Sequence, residues 1–559
     1  MPSKKRLAAQ VFAAENANRP SVQIWGMRGM VSSMHPLASD AAVQTLRKSG
    51  NAIDAAVTLG AAIAVTNPEW SGIAGDSAWL IYLAQKKEFF YLDGYSTCPA
   101  RMTLELLQKQ FGLERASNPR AFQEEPPECR DEGVVVGMVP GTPAAWWELS
   151  KRFGTLPFRD LCAPAIQLAE GGLPINRYLS ESISKFASKL LPYESTRRVV
   201  CKQGTVLLGE GDTLRQDDLA ATLRRLAQGG DRGFYEGETA DLLFNYCRQH
   251  DGLMTLEDLN QYKPVWRPVM RGNYRGTDVV VSTPPTAGAH VLQALNILEG
   301  FDLAKLGYHT VESLHVLIES LKLTLNDRRM SGGDPDFLAM DVERLISKRY
   351  AEELRARIKR KQVQIAGVGV FPGSSTTHFV VADGAGNLVC ATQTVGSRFG
   401  CGEVIEGTGM FMNDRSWWMA LDDGPNGVSP LHRASIGHAP TILLANNCPY
   451  AALGSPGGYG IVPYVVQTIV NMIDYGLDIQ SAIEAPRFKI EDLGGQVGME
   501  KRIARSTIRG LVSLGHDIFD YPEWTDQVGG VEGVYIDPAT GQMLGGYDPR
   551  RNSMAAGVS

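Results

Sequence analysis

The chain has 559 residues, 44% hydrophobic and 21% charged, an ordinary globular balance able to bury a large core without disulfide or metal staples. Its net charge of −6 comes from 61 acidic and 55 basic residues interspersed along the sequence, which leaves no basic face and argues against a nucleic-acid partner. The eight cysteines form no C-x-x-C pair and the histidines no ligand cluster, so they read as thiols of a reducing compartment, with no metal and no cofactor expected.

Residues 1–25 read as a leader. Lys4, Lys5 and Arg6 suit the start of a signal peptide, but Gln10 and Glu15 interrupt the apolar stretch that should follow. No apolar run reaches transmembrane length, so the expected location is the cytoplasm, with the periplasm as the alternative, and no membrane partner is expected. Met30–Ser33 predicts a short strand and Ala38–Arg47 a helix. Asn51 then caps a second helix, Ala52–Thr66, apolar on nearly every side apart from Asp54 and the threonines, as suits a helix inside a large core. Ser71–Gly75 is a turn, followed by strands over Ala78–Leu83 and Phe89–Leu92. From Leu104 to Leu354 the pattern is mostly helical, with one clear strand at Val279–Ser282 before Pro284-Pro285.

The texture changes near Gly367. A glycine-rich approach leads to Ser375, and two β runs follow, Thr376–Ala382 and Leu388–Thr394, around the loop Asp383-Gly384-Ala385-Gly386-Asn387. Such a loop between β runs reads as a hairpin. If Ala382 pairs with Leu388, Thr376 falls opposite Thr394, on one face and with Cβ atoms about 4.5–5.5 Å apart. A slip of one residue would turn every side chain to the other face. Threonine pairs are common in ordinary sheets, so the pair alone does not establish catalysis. Other chemistries find no support: there is no G-x-S-x-G elbow or Walker A sequence, and Gly407-Thr408-Gly409 lacks the third glycine of a dinucleotide fingerprint.

Several ordered segments carry a resemblance: Thr376-Thr377-His378-Phe379 with Asp383, Gly386-Asn387 and Thr392-Gln393-Thr394; Asn51–Val57; Gly141-Thr142-Pro143; Tyr274-Arg275-Gly276; Gly333–Phe337; Gly454–Gly458; and Ala485–Phe488. Together they resemble the γ-glutamyltranspeptidase family across almost the whole chain, the leader and a stretch near residues 118–133 excepted. The resemblance implies an α+β fold, a four-layer αββα sandwich of the N-terminal-nucleophile hydrolases, made as one precursor. It implies cleavage between Ser375 and Thr376 into a large chain, 26–375 after the leader, and a small chain, 376–559. The two would remain together as a heterodimer, with further pairing of heterodimers open. Thr376 would be both new N-terminus and nucleophile, its α-amine, ordinarily near pH 7.7–8.0, serving as the base. Thr394 would hydrogen-bond it, and Gly457 and Gly458 would face the developing oxyanion. His378 is not needed by this chemistry and reads as structural.

The departures from the family fall where the γ-glutamyl group is held. The family's arginine for the α-carboxylate aligns with Tyr95 and its asparagine with Gly396. Its Gln and Asp for the α-amine align with Arg415 and Trp418, and its paired serines with Ile436 and Gly437. Losing these groups removes the charge-assisted bonds that recognise a zwitterion. On this reading Arg415 holds a carboxylate, Trp417, Trp418 and Tyr95 line an apolar pocket, the Ile436-Gly437 pair opens room for the acyl group, and Leu421–Pro430 forms a lid. The expected substrate is a small-molecule, carboxylate-bearing amide, as for cephalosporin (glutaryl) acylases or, from Gly75-Asp76 with Trp79, oxamate amidohydrolases. A γ-glutamyltransferase or glutathione hydrolase with an altered clamp is the first alternative, and a processed but inactive binding scaffold the second.

Overall fold

The computed structural model describes residues 22–110, 131–363, 375–491 and 495–559. Most of the leader, most of the stretch 118–133 and the glycine-rich approach 364–374 lie outside the described residues.

In chain order, fourteen strands build the two main sheets: β1 (Ile24–Gly26), β2 (Gly29–Ser33), β3 (Asp76–Leu83), β4 (Glu88–Gly94), β5 (Val265–Arg267), β6 (Val269–Tyr274), β7 (Thr277–Ser282), β8 (Thr377–Asp383), β9 (Leu388–Thr394), β10 (Thr441–Ala445), β11 (Cys448–Gly454), β12 (Glu532–Ile536), β13 (Met543–Gly546) and β14 (Met554–Val558). One antiparallel sheet runs β1-β13-β12-β11-β10-β7-β6, and the other β14-β2-β8-β9-β3-β4-β5. Strands from before and after residue 376 are interleaved in both. In the second sheet, β8 and β9 sit between β2 and β3.

Period-2 alternation decides which way each sheet faces. Val280, Ile442, Leu444, Ala452 and Val534 of the first sheet join the core shared with the second. Val279, Val281, Leu443, Ala451 and Leu453 point the other way, into a second core under the outer helices. Helices α1 (Pro36–Arg47) and α2 (Ala52–Thr66) cover the second sheet. On the far side, α3 (Gly288–Glu299) and α5 (Ile461–Ile473) cover the first, with α4 (Val311–Ser331) packed on α3. The layers are αββα, as the resemblance implies.

Local chemistry explains the key elements. Asn51 accepts from the N–H groups of Ile53 and Asp54, and Asp54 reciprocates to Asn51, a capping box that starts the fully buried α2. The Asp383 carboxylate accepts from Ala385 and Asn387 within the hairpin loop and from Ala52 at the start of α2, tying loop to helix. The 104–354 region is mostly helical, as expected, but holds more strand than the single stretch expected. β6 and β7 form a hairpin turned at Arg275-Gly276, whose φ values of 51° and 85° make a tight two-residue turn.

Candidate active site

The hairpin register places the two threonines. Ala382 pairs with Leu388 and Thr377 with Gln393, so Thr376 enters opposite Thr394, and the Thr376 Oγ1 donates to the Thr394 Oγ1 at 3.1 Å. Thr394 Oγ1 also accepts from the Gly396 N–H at 2.9 Å. Below them, Thr377 Oγ1 donates to the Gln393 carbonyl, and Gln393 is held by Trp146, Ser71 and Gly60. Gly75 lets the neighbouring turn come close, since a Cβ there would lie 1.9 Å from the Thr394 carbonyl oxygen. The threonines and glutamine at the mouth are well bonded, while the Ser375 Oγ before them has no hydrogen-bond partner among the described residues.

The peptide entering this mouth is strained. Thr376 has φ 110°, a region that a β-branched residue rarely occupies and that costs about 1–3 kcal/mol. The carbonyl of Ser375, on the N-terminal side of that bond, accepts from the Gly457 N–H at 3.3 Å. Gly457 (φ 129°) and Gly458 (φ 57°) open the turn into α5 in conformations that need glycine. A hydroxyl, a strained peptide and a backbone donor on its carbonyl thus meet at one buried point. His378 packs against the other sheet, where a Cβ on Gly454 would lie 2.3 Å from its ring, and its Nδ1 bonds Thr392 Oγ1 at 2.8 Å. Burial pulls its imidazole down to about 3, so it is neutral here.

The expected acyl-pocket residues gather beside this point with contacts that change their reading. Arg415 does not face a ligand carboxylate alone: its Nε lies 2.7 Å from Asp76 Oδ2 with both side chains buried, while its Nη2 has no hydrogen-bond partner among the described residues. Burial pushes the Asp76 carboxyl up to about 6, against the pull of Arg415 and with Asp93 and Asp414 adding to the rise. Gly437 opens no room either. A Cβ there would lie 1.9 Å from the Gly458 carbonyl oxygen, so its missing side chain serves close approach to the glycine turn, while Ile436 is buried with its N–H on the Pro285 carbonyl. Gly396 (φ 104°) faces Asp414, whose Oδ1 would stand 1.7 Å from an added Cβ. Trp418 is buried, stacks on Tyr459 at 6.2 Å and lies under the Arg415 guanidinium. Tyr95 meets His438 edge-on at 5.3 Å. The 421–430 segment is a pinned turn, with Asn426 bonding the Trp418 carbonyl and the Ser435 N–H.

Four groups of this site were not singled out from sequence: Asp76 as the partner of Arg415, Asp414, His438 and Arg328. Their signal is three-dimensional. Polar atoms of all four lack hydrogen-bond partners among the described residues, as do Tyr95 Oη and Trp418 Nε1. A buried polar atom without a protein partner calls for a water, an ion or a ligand. No group of metal-binding side chains occurs among the described residues.

Comparison with known proteins places this geometry in context. A family model described as Gamma-glutamyltranspeptidase matches residues 38–558. The chain is 36% identical over 526 residues to the acylase ACY 1 proenzyme of Pseudomonas sp. (strain SE83), covering 92% of this chain and 90% of that protein. It is 31% identical over 542 residues to the glutathione hydrolase proenzyme of Escherichia coli (strain K12), covering 94% and 90%. The crystal structure of cephalosporin acylase from Bacillus halodurans superposes with a TM-score of 0.87 at 31% identity, over 97% of this chain and 98% of that one.

Proposed function

Because the chain belongs to the γ-glutamyltranspeptidase family, we propose that it uses Thr376 to hydrolyse a carboxylate-bearing amide other than a γ-glutamyl one. It is a self-processing N-terminal-nucleophile amidohydrolase or acyltransferase, working as a heterodimer of its two cleavage products on a small molecule. The proposed products are 1–375, less any leader, and 376–559, with pairing of heterodimers and a cytoplasmic location as further parts of the reading. No helix among the described residues is long and apolar enough to cross a membrane.

In maturation, the Thr376 hydroxyl attacks the Ser375 carbonyl carbon. The bond to the Thr376 nitrogen breaks, leaving an ester, and water hydrolyses it to a Ser375 carboxylate and a free Thr376. In turnover, the freed α-amine takes the hydroxyl proton as Thr376 Oγ1 attacks the substrate carbonyl. Gly457 and Gly458 N–H groups face the oxyanion, a donor type worth about 2.7–4 kcal/mol of barrier. The amine leaves with the proton, and water releases the acyl group. The observation that carries this reading is the strained Thr376, with its hydroxyl on Thr394 and the Ser375 carbonyl on Gly457.

The acyl preference rests on the clamp positions. Tyr95, Gly396, Trp418, Ile436 and Gly437 offer no charge to a zwitterion, and Arg415 is already paired with Asp76. The competing reading, γ-glutamyl transfer, draws on Asp414, whose Oδ2 has no partner among the described residues and which stands beside Gly396. Two measurements test the proposal. Mature protein should run as two chains on a denaturing gel, the smaller beginning Thr-Thr-His-Phe, while Thr376→Ala stays single and inactive; a fully active single chain would sink it. In a comparison of kcat/KM, a glutaryl anilide or oxamate should beat a γ-glutamyl anilide, and a clear win for the glutamyl compound selects the competing reading.

A further inference from the structure

Arg328 lies in the last turn of α4, near the helix end that docks on the 435–438 loop, where a Cβ on Gly332 would lie 2.9 Å from Ser435 Oγ. Its residue is only 3% exposed, yet neither Nη1 nor Nη2 has a hydrogen-bond partner among the described residues. The guanidinium stands 4.2 Å over the ring of Tyr459, the residue after the glycine pair. Around it the Tyr95 hydroxyl and both ring nitrogens of His290 also lack partners, as does His438 Nδ1. Burial lowers both imidazoles, with Arg328 adding to the fall in each and Arg415 acting on His438 ahead of it, so both rings are neutral beside arginine charge. The groups that act on the guanidinium are the phenols of Tyr459 and Tyr95. A buried charge without a counter-ion is unfavourable, and the carbonyls at the end of α4 offset it only in part. The missing partner is therefore an anion that arrives. A planar fork with two free nitrogens suits a carboxylate.

We propose that Arg328 anchors the distal carboxylate of the acyl group, with the Tyr95 hydroxyl and His438 Nδ1 completing the end wall of the acyl pocket. The proposal rests on the amidohydrolase reading above and names the group that gives the pocket its charge preference. The geometry links the wall to the chemistry: His438 follows Gly437, which packs on Gly458, and Tyr459 carries the guanidinium directly beyond the glycines. On this proposal an acyl chain attached at Thr376 runs past Gly457 and Gly458 toward Tyr459 and the guanidinium above it. No carboxylate is among the groups acting on Arg328, so an α-ammonium placed against its guanidinium would meet like charge.

The test uses processed protein, the variants Arg328→Met and Arg328→Lys, and two anilides that differ only in their end group, glutaryl and pentanoyl. Arg328→Met should lower kcat/KM for the glutaryl compound by roughly 10- to 150-fold, the worth of a charge-assisted hydrogen bond, and leave the pentanoyl compound within about threefold. Arg328→Lys should fall between. Self-cleavage should persist, and the melting temperature should stay level or rise, because an unpaired buried charge is removed. Equal losses on both anilides, no loss on either, or collapse of the fold would each overturn the proposal. Free glutarate, titrated calorimetrically, separates this inference from the functional reading. If no amide is turned over by the unaltered enzyme, the amidohydrolase reading fails; glutarate binding that Arg328→Met abolishes still supports the anion subsite. Absent binding, or binding indifferent to the substitution, refutes it.

Discussion

The mouth of the β8–β9 hairpin and the proposed acyl pocket are built on opposite terms. At the mouth, Thr376, Thr377, Gln393 and Thr394 all find partners. In the pocket, Arg328, Tyr95, Asp414, Trp418 and His438 each bury a polar atom with none among the described residues. The contrast separates two jobs. On the proposed reading, the nucleophile has to be held before any substrate arrives, because it first cuts its own chain. The proposed specificity wall can stay unsatisfied, since its partners would come with the substrate.

Three tests, with four substitutions, probe that contrast in order of expected effect. Thr394→Val removes the 3.1 Å contact to the nucleophile and should slow self-cleavage and turnover together by roughly 10²-fold, the scale of losing one positioned catalytic hydrogen bond. A gel time course and kcat read both rates; unchanged rates would erase the distinction at its stronger end. Gly396→Asn installs the family's clamp residue, but at φ 104° and against Asp414 Oδ1 it should cost roughly 1–3 kcal/mol of stability, without raising γ-glutamyl activity. Denaturant unfolding and the anilide panel check the two halves of that statement. The finest comparison sets two tyrosines side by side. Tyr262→Phe deletes a 2.7 Å bond to the Tyr95 carbonyl and should cost about 1 kcal/mol, whereas Tyr95→Phe deletes a hydroxyl with no partner and should change stability by less than about 0.5 kcal/mol. Equal losses would mean the pocket is bonded like the mouth.

The same division marks what could be read without coordinates. The hairpin register follows from one loop and a count, and Asn51 with Asp54 announces the start of α2, because both are local. Of the β6–β7 hairpin, β7 was legible but β6 was hidden by its own composition: Arg271, Asn273 and Arg275 break the apolar pattern, and only Gly276 hints at the turn. Pocket electrostatics are less legible still. Arg415 is neutralised by Asp76 from the distant start of β3, a pairing no spacing rule supplies. Arg328 is one of two adjacent arginines near a helix end, and nothing in the order of letters says which is buried. Gly437 misleads for a related reason: a missing side chain can admit a substrate or a backbone, and here the Gly458 carbonyl takes the space.

The interleaving of strands has a consequence for the life history of the enzyme. β8 and β9 enter the second sheet between β2 and β3, and β14 closes its edge beyond β2, so the later part of the chain is woven into the earlier part. While the chain is continuous, the search for that register is intramolecular, with loop closure the only entropic obstacle. Once the bond before Thr376 is severed, the same weave would have to form between two separate molecules, each exposing unpaired strand edges prone to wrong partners. A cut at the proposed bond would remove the tether that made the fold accessible. The lifetime of the two-chain enzyme would then be set by unfolding rather than by re-formation.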